Sequence, residues 1–213
     1  GGTSCGDNGP ATDAGLSAPV SVALDQAGSL YIADSISHRV RRVTSAGVIT
    51  TVAGTGVACP VATDPCGDGG PATAPGARLN RPTSVAVDRA GNVFIADALD
   101  NRVRKVSASD GRLSTVAGTG TPCPLATKPC GDGGPAASAN LSLPLGVATD
   151  AAGTVYVADT LDYKVRKVAA DGTISSVAGD GSPCAAAPNC GDGGPATAGR
   201  LNLPTAVAVG PAG

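Results

Sequence analysis

The feature that most restricts the fold of this chain is that it repeats itself. The run Gly-Asp-Gly-Gly-Pro-Ala begins at Gly67, Gly131 and Gly191, with Gly-Asp-Asn-Gly-Pro-Ala at Gly6. Between these marks the same text returns: Val-Ala-Val-Asp, an apolar run ending in Ala-Asp, Arg-Val-Arg-Lys-Val, then Ser-Thr-Val-Ala-Gly. A period of roughly 60 residues holding several short strands describes one supersecondary unit packed on copies of itself. The units fall at about residues 1–58, 59–122 and 123–183, with a partial unit at 184–213.

The second unit reads as four strands. Residues 84–88 alternate and end at an acidic turn, and residues 93–97 form a short apolar run of the kind covered on both faces. Residues 102–106 are more polar, Ser109-Asp110-Gly111 is a hairpin signal, and residues 113–117 end at Gly118. The first unit matches over residues 20–54 and the third over 145–179, and Pro204–Val209 reads as a first strand. In the third strand Val103 and Val106 fall on opposite faces, which requires either a bulge or a mixed face. No segment carries a capped helical period. The hydrophobic residues are mostly small or β-branched, as suits closely packed sheets, and Tyr31, Phe94 and Tyr156 occupy equivalent second-strand positions expected in the core. Four antiparallel hairpin-linked strands per repeat describe a blade of an all-β propeller. The competing β-solenoid uses shorter rungs without hairpin signals.

The text Asn80–Asp88, Gly91–Asp97 and Asn101–Val106 resembles the NHL repeat, and His38-Arg39-Val40-Arg41 comes close to that family's usual His-Arg-Val-Arg. The resemblance implies a propeller of four-stranded blades, commonly six, of which this chain carries three and part of a fourth. Members of that family include extracellular binding domains, RNA-binding cytosolic proteins and a metal-dependent lyase. The disulfide-loop character places this chain with extracellular members and, as an expectation, with bacterial ones.

The seven cysteines follow the repeat. Cys59 and Cys66 flank six residues, as do Cys123 and Cys130, while Cys184 and Cys190 flank five. Each pair stands alone, and the chain has one histidine, which disfavours a zinc site. Local disulfides are expected instead, and with them an oxidising location: extracellular, cell surface or periplasm. Cys5 precedes Gly6 as Cys66 precedes Gly67, so by the repeat it is the second member of a pair whose first member is not in the sequence. Either the chain continues upstream or Cys5 bonds another molecule.

With strands alternating up and down, the turns after the second and fourth strands share one face. That face would gather His38, Asn101 and Tyr163 from one set of turns and Asp64, Lys128 and Asn189 from the cysteine loops. These six residues are the candidate binding residues, on the reasoning that recognition uses variable loops on a rigid scaffold. The alternative is that the loops only pad the rim. Asp68, Asp132 and Asp192 read as turn-forming residues, because the run lacks both the Lys-Ser/Thr of a phosphate loop and the acidic ligand spacing of a calcium loop. Asp34, Asp97 and Asp159 read as turn residues that bond nearby amides.

Net charge is −2, and the basic residues recur once per unit rather than as a patch, which argues against nucleic acid. With only His38, the histidine ligand set implied by the lyase branch cannot be assembled. The reading is therefore a non-enzymatic scaffold, without cofactor or resident metal, for a protein or glycan ligand. The alternatives are a self-assembling homo-oligomer or filament and, behind it, a lyase whose catalytic residues lie outside this segment.

Overall fold

A computed structural model of the chain describes residues 5–124, 130–184 and 190–210. Its described strands form three separate four-stranded antiparallel sheets, each in sequence order. The first contains β1 (Pro19–Leu24), β2 (Leu30–Asp34), β3 (Arg39–Val43) and β4 (Ile49–Ala53). The second contains β5 (Pro82–Val87), β6 (Val93–Asp97), β7 (Arg102–Val106) and β8 (Leu113–Ala117). The third contains β9 (Pro144–Thr149), β10 (Val155–Asp159), β11 (Lys164–Val168) and β12 (Ile174–Ala178). The first strands β1, β5 and β9 lie side by side, with β5 against both of the others. The protein is a β-propeller of four-stranded blades, as the repeat text predicts.

The core lies between the blades. Tyr31, Ala33 and Val40 of the first sheet pack against Val85, Val93, Ile95, Val106 and Leu113 of the second. Phe94, Ala96 and Val103, on the opposite face of that sheet, pack against Val147, Val155, Val157 and Ile174 of the third. A middle sheet covered on both faces has no polar side to alternate with, which explains its continuous apolar runs. Small residues let the stacked segments approach closely: a Cβ at Gly146 of β9 would fall 2.9 Å from the Cα of Ala206, in the segment that lies against the third sheet. Burial tracks the presence of a neighbour. Val85 and Val147 are each 4% exposed, whereas the equivalent Val22, on the face of the first sheet turned away from the second, is 62% exposed.

The open question about the third strand resolves as both alternatives, in different places. β7 pairs regularly with β6, so Val103 and Val106 do point to opposite faces, and both are buried because both faces are covered. The irregularity sits in the partner strand: Val103 faces Ala117 and Arg104 faces Thr115, leaving Val116 as the extra residue of a bulge in β8.

Two expectations change. Pro204–Val209 is not a strand: it lies against the third sheet, with the Pro204 carbonyl accepting from the Thr160 hydroxyl, but pairs in no ladder. Tyr31 and Phe94 are core residues, whereas Tyr156 is only half-buried, because residues 204–209 cover its face less fully than a sheet would.

The Gly-Asp-Gly-Gly-Pro-Ala runs are more than turns. In the run at Gly67, the Gly69 amide donates to the Leu113 carbonyl, the Leu113 amide to Gly70, and the Ala72 amide to Gly111. The Ala72 carbonyl in turn accepts from the Gly54 amide of the preceding blade. One short segment thus covers the edge of β8 and ties it to the end of β4. An outer edge that would otherwise be open for pairing is closed in this way.

Candidate functional site

The same buried charge cluster recurs in each blade, at the two seams and on the open face of the first sheet. Arg41, Arg104 and Arg166, the third residues of β3, β7 and β11, are 0% exposed. Strand pairing sets Arg104 opposite Ile95 and so aims it into the seam rather than at solvent. There it meets Asp68 of the glycine run, Asp97 at the end of β6 (3.4 Å), and the carbonyls of Pro65 and Cys66. Arg166 repeats this with Asp132 (2.7 Å), Asp159 (3.4 Å) and the carbonyls of Cys130 and Asn140. Arg41 meets Asp7 at 2.5 Å and Asp34 at 4.0 Å. The second oxygen of each run aspartate is also used: Asp68 accepts from the Thr115 amide, Asp7 from the Thr51 hydroxyl and Asp132 from the Ser176 hydroxyl. Burial opposes the charge on Asp132, but the Ser176 hydroxyl and the Arg166 guanidinium hold its carboxyl below the usual range.

These contacts correct the reading of both aspartate sets as local turn residues. Asp68 and Asp132 are ion-pair partners that join a glycine run to the blade following it. Asp34, Asp97 and Asp159 do bond amides, but those of Ser17, Asn80 and Ser142, each 17 residues upstream. With Asp68 occupied by Arg104 and Thr115, its oxygens are not open to a calcium ion.

Beside this cluster lies Asp100, also 0% exposed, in the single 3-10 turn Ala98–Asp100. Neither of its oxygens completes a hydrogen bond among the described residues, with the Asn80 side chain as the neighbour that favours its charged form. Burial first, and then the negative charge of Asp97, push the Asp100 carboxyl up to about 7. Burial raises Asp97 to about 6 against the pull of Arg104. Asp159 is raised in the same way, by burial and then by Asp162.

The loop face sits above the seams. His38, Asn101 and Tyr163 close the turns after β2, β6 and β10, all in the left-handed conformation at φ 53°, 48° and 53°. Two of them clamp the next blade: His38 Nδ1 accepts the Arg81 amide at 3.1 Å, and Asn101 Oδ1 accepts the Leu143 amide at 2.9 Å. Burial, then the charges of Arg81 and Arg39, lower the His38 pKa below its ordinary value. Tyr163 is half-buried. The cysteine loops leave from the same side: a Cβ at Gly118, where the loop after β8 begins, would collide with the Asn101 carbonyl, and Gly54 and Gly179 stand likewise against His38 and Tyr163.

Disulfides join Cys59 to Cys66, Cys123 to Cys130 and Cys184 to Cys190, with Cα separations of 6.0, 5.7 and 5.7 Å. Cys5 is exposed. The first loop is gripped from below by Arg102, which donates to the Thr63 carbonyl at 3.1 Å, to Asp64 at 3.3 Å and, closer still, to Ala62. Its tip faces outward: Val61 is 54% exposed and Asp64 is exposed. Lys128 and Asn189 lie outside the described residues. The sulfurs of Cys123 and Cys130 and a carboxylate oxygen of Asp162 lie within 4.8 Å of one another, but sulfurs bonded to each other offer no thiolate to a metal.

The sequence and the geometry point to the same group of proteins. The family model described as the teneurin NHL domain matches residues 2–56, 50–118 and 100–213. The chain belongs to the teneurin NHL-domain family. Among curated relatives, Teneurin-3 of Danio rerio is 31% identical over 98% of this chain and Teneurin-1 of Mus musculus is 30% identical over 98%. In both cases the chain spans only 8% of the teneurin's length. The expectation of a bacterial-type member is corrected by these matches, since the relatives are animal teneurins. The repeat text is set by strand packing and carries no mark of source, so it gave that expectation no physical basis. Solved structures similar to this teneurin-type chain include a protein of unknown function from Bacteroides thetaiotaomicron VPI-5482 (23% identity, TM-score 0.60, 88% of this chain, 41% of that one). An auxiliary nutrient binding protein from Bacteroides ovatus ATCC 8483 is also similar (16% identity, TM-score 0.60, 92% of this chain, 44% of that one). At these identities the likeness shows the fold alone.

Proposed function

We propose that the teneurin-type propeller is a non-enzymatic scaffold whose loop face recognises a protein ligand outside the cytosol. One observation carries this reading. The Cys59–Cys66 loop is closed by a disulfide and held by Arg102 on three successive carbonyls, yet its tip is exposed. A tip fixed in advance loses little freedom on binding, so more of its contact energy is left for affinity. A protein ligand fits better than a glycan, because the chain has three Tyr and one Phe and only Tyr163 among them stands on the loop face. The disulfides and the animal teneurin relatives support an extracellular or cell-surface setting. The non-enzymatic reading is supported by His38, the sole histidine, whose Nδ1 is occupied by the Arg81 amide.

The test is a panel of purified cell-surface ectodomains screened by interferometry against the immobilised chain. Each hit is then repeated on Val61→Ala and Asp64→Ala at the loop tip, and on Arg89→Ala and Arg112→Ala at the opposite end of the sheets. Loss of binding with the first pair and not the second supports the loop face; the reverse pattern refutes it.

A second reading, assembly with a further sheet of the same repeat, is favoured by the exposure of Val20, Val22 and Leu24 (56%, 62% and 65%), since the equivalents of Val22 in the other blades, Val85 and Val147, are buried. Sedimentation that stays monomeric at all concentrations, and is unchanged by Val22→Ser, would count against self-assembly.

A further inference from the structure

The two seams between the sheets are each fastened on the loop face by a clamp at the same point in the repeat, and the clamps differ in chemistry. The turn after β2 ends at His38, whose Nδ1 accepts the Arg81 amide at 3.1 Å. The turn after β6 ends at Asn101, whose Oδ1 accepts the Leu143 amide at 2.9 Å. Arg81 and Leu143 are equivalent residues, each just before the proline that opens the next blade's first strand. Both stand in the left-handed region, at φ 55° and 52°, which is unfavourable for residues with a side chain. The acceptor from the neighbouring blade offsets part of that cost.

Only one of the two acceptors can be switched off. An amide oxygen accepts at any pH that leaves the protein folded. An imidazole nitrogen accepts only while it lacks a proton, and an imidazolium is a donor at both nitrogens. Neutral His38 therefore carries its proton on Nε2, and a proton added to Nδ1 would point at the Arg81 N–H. The surroundings of the ring act in the same sense. Burial, then the cations Arg81 on the next blade and Arg39 on its own strand, hold the imidazole below its ordinary pKa. On the β4 side Gly54 stands against the His38 carbonyl and brings no charge. Asp34, at the start of the same turn, is committed to the Ser17 amide and Arg41. Asp97 accepts the Asn80 amide next to Arg81, and burial raises it to about 6, so its titration falls close to that of His38.

We propose that His38 is a pH-operated latch. At neutral pH its imidazole fastens the entry turn of the second blade to the first; protonation releases that turn, while the Asn101 clamp in the next seam stays closed. Acid thus changes one seam of the loop face and leaves its neighbour as it was. The latch belongs to the fold and does not depend on what the loop face binds, so either reading can fail alone.

Amide exchange at Arg81, with each rate divided by that of the unfolded chain at the same pH, reads the latch directly. Between pH 7.5 and pH 4.5 the protection of Arg81 should fall about fivefold, the scale of one hydrogen bond, while that of Leu143 stays unchanged. The midpoint of the fall should coincide with the titration of the His38 ring protons, followed by NMR in the same samples, and lie below the ordinary histidine value. His38→Asn puts the Asn101 chemistry into the first seam and should keep Arg81 protected across the whole range. A fall caused by Asp97 would instead persist in that variant. His38→Ala removes the acceptor and should show the low protection at both ends, which covers the case of a His38→Asn chain that does not fold. The proposal is overturned if the protection of Arg81 does not change with pH, if Leu143 loses protection in parallel, if folded His38→Asn shows the same fall, or if His38→Ala still shows it.

Discussion

Replacing Asp100 by Asn keeps the shape of a fully buried side chain and removes its charge, so it isolates the cost of ionising the Asp97–Asp100 pair. Burial and the neighbouring Asp97 raise the Asp100 carboxyl from 3.8 to about 7. At ~1.4 kcal/mol per pH unit this sets a ceiling of ~4 kcal/mol on the stability tied to its proton. The two carboxyls titrate as a pair, and Asp97 takes part of that cost, so about half of it, ~2 kcal/mol, is the working figure. The direction follows from the raised value. The folded protein binds this proton more tightly than the unfolded chain does, so the contribution is fully present below about pH 4 and is lost as pH rises through about 7. His38 acts in the opposite sense, because its lowered pKa costs stability as pH falls through the ordinary histidine range. It is common to both proteins and cancels in the difference. Urea unfolding of the unaltered chain and of Asp100→Asn, at pH 4 and pH 8, should give nearly equal free energies at pH 4 and an advantage for the variant of ~2 kcal/mol at pH 8. A difference that is the same at both pH values, or that favours the unaltered chain more at pH 8, would refute the assignment of a shared buried proton.

Arg104→Ala leaves Asp97 buried and Asp68 without its cation, and urea unfolding should show a loss of ~3–5 kcal/mol, far more than the ~0.5 kcal/mol or less for exposed Arg89→Ala. Gly118→Ala puts a Cβ into the Asn101 carbonyl at φ 95°, so its thermal midpoint should drop well below that of Gly111→Ala, whose added Cβ meets nothing within 4 Å at φ 67°. Asn101→Ala unpairs the Leu143 amide across a seam and should cost ~1 kcal/mol, with hydrogen exchange accelerating at Leu143 in particular. Reducing the Cys59–Cys66 bridge should lower stability by about 2.5 kcal/mol in the chain-entropy model, read as a shift in the urea midpoint.

The fold was legible because its signals are local. Glycine and Asx turns separate runs of five residues, and the boundaries of 93–97, 102–106 and 113–117 match β6, β7 and β8 residue for residue. The face orientation of β7 was not legible, because a strand buried on both sides removes the alternation that would reveal it. The seam cluster was missed for a different reason. Arg104 in a strand reads as a solvent-facing residue, and its partner Asp68 lies 36 residues upstream, beyond any local pattern. The signal that could have found it is internal to the repeat. At the first position of the third strand the chain has Arg39, Arg102 and then Lys164, but two residues later it has Arg41, Arg104 and Arg166 without exception, matched by Asp34, Asp97 and Asp159. A charge kept in register three times while its neighbour drifts marks a buried pair. The clasping role of the glycine run was hidden in the same way, since its backbone partners lie on two different blades.

The run at residues 67–72 precedes β5 in the chain, yet it bonds both to the end of β4 and to the edge of β8. The unit that can be duplicated, deleted or exchanged intact is therefore offset from the four-stranded sheet. A splice placed between the run and β5, at residues 73–81, would separate a sheet from the strap that fastens it, and the foreign strap would arrive with an aspartate fitted to another arginine. A splice inside the cystine loop, between Cys59 and Cys66, would carry strap, ion pair and sheet together. Chimeras joined at that point should fold where those joined at residues 73–81 fail, and the same cut marks where blades of such proteins are best recombined.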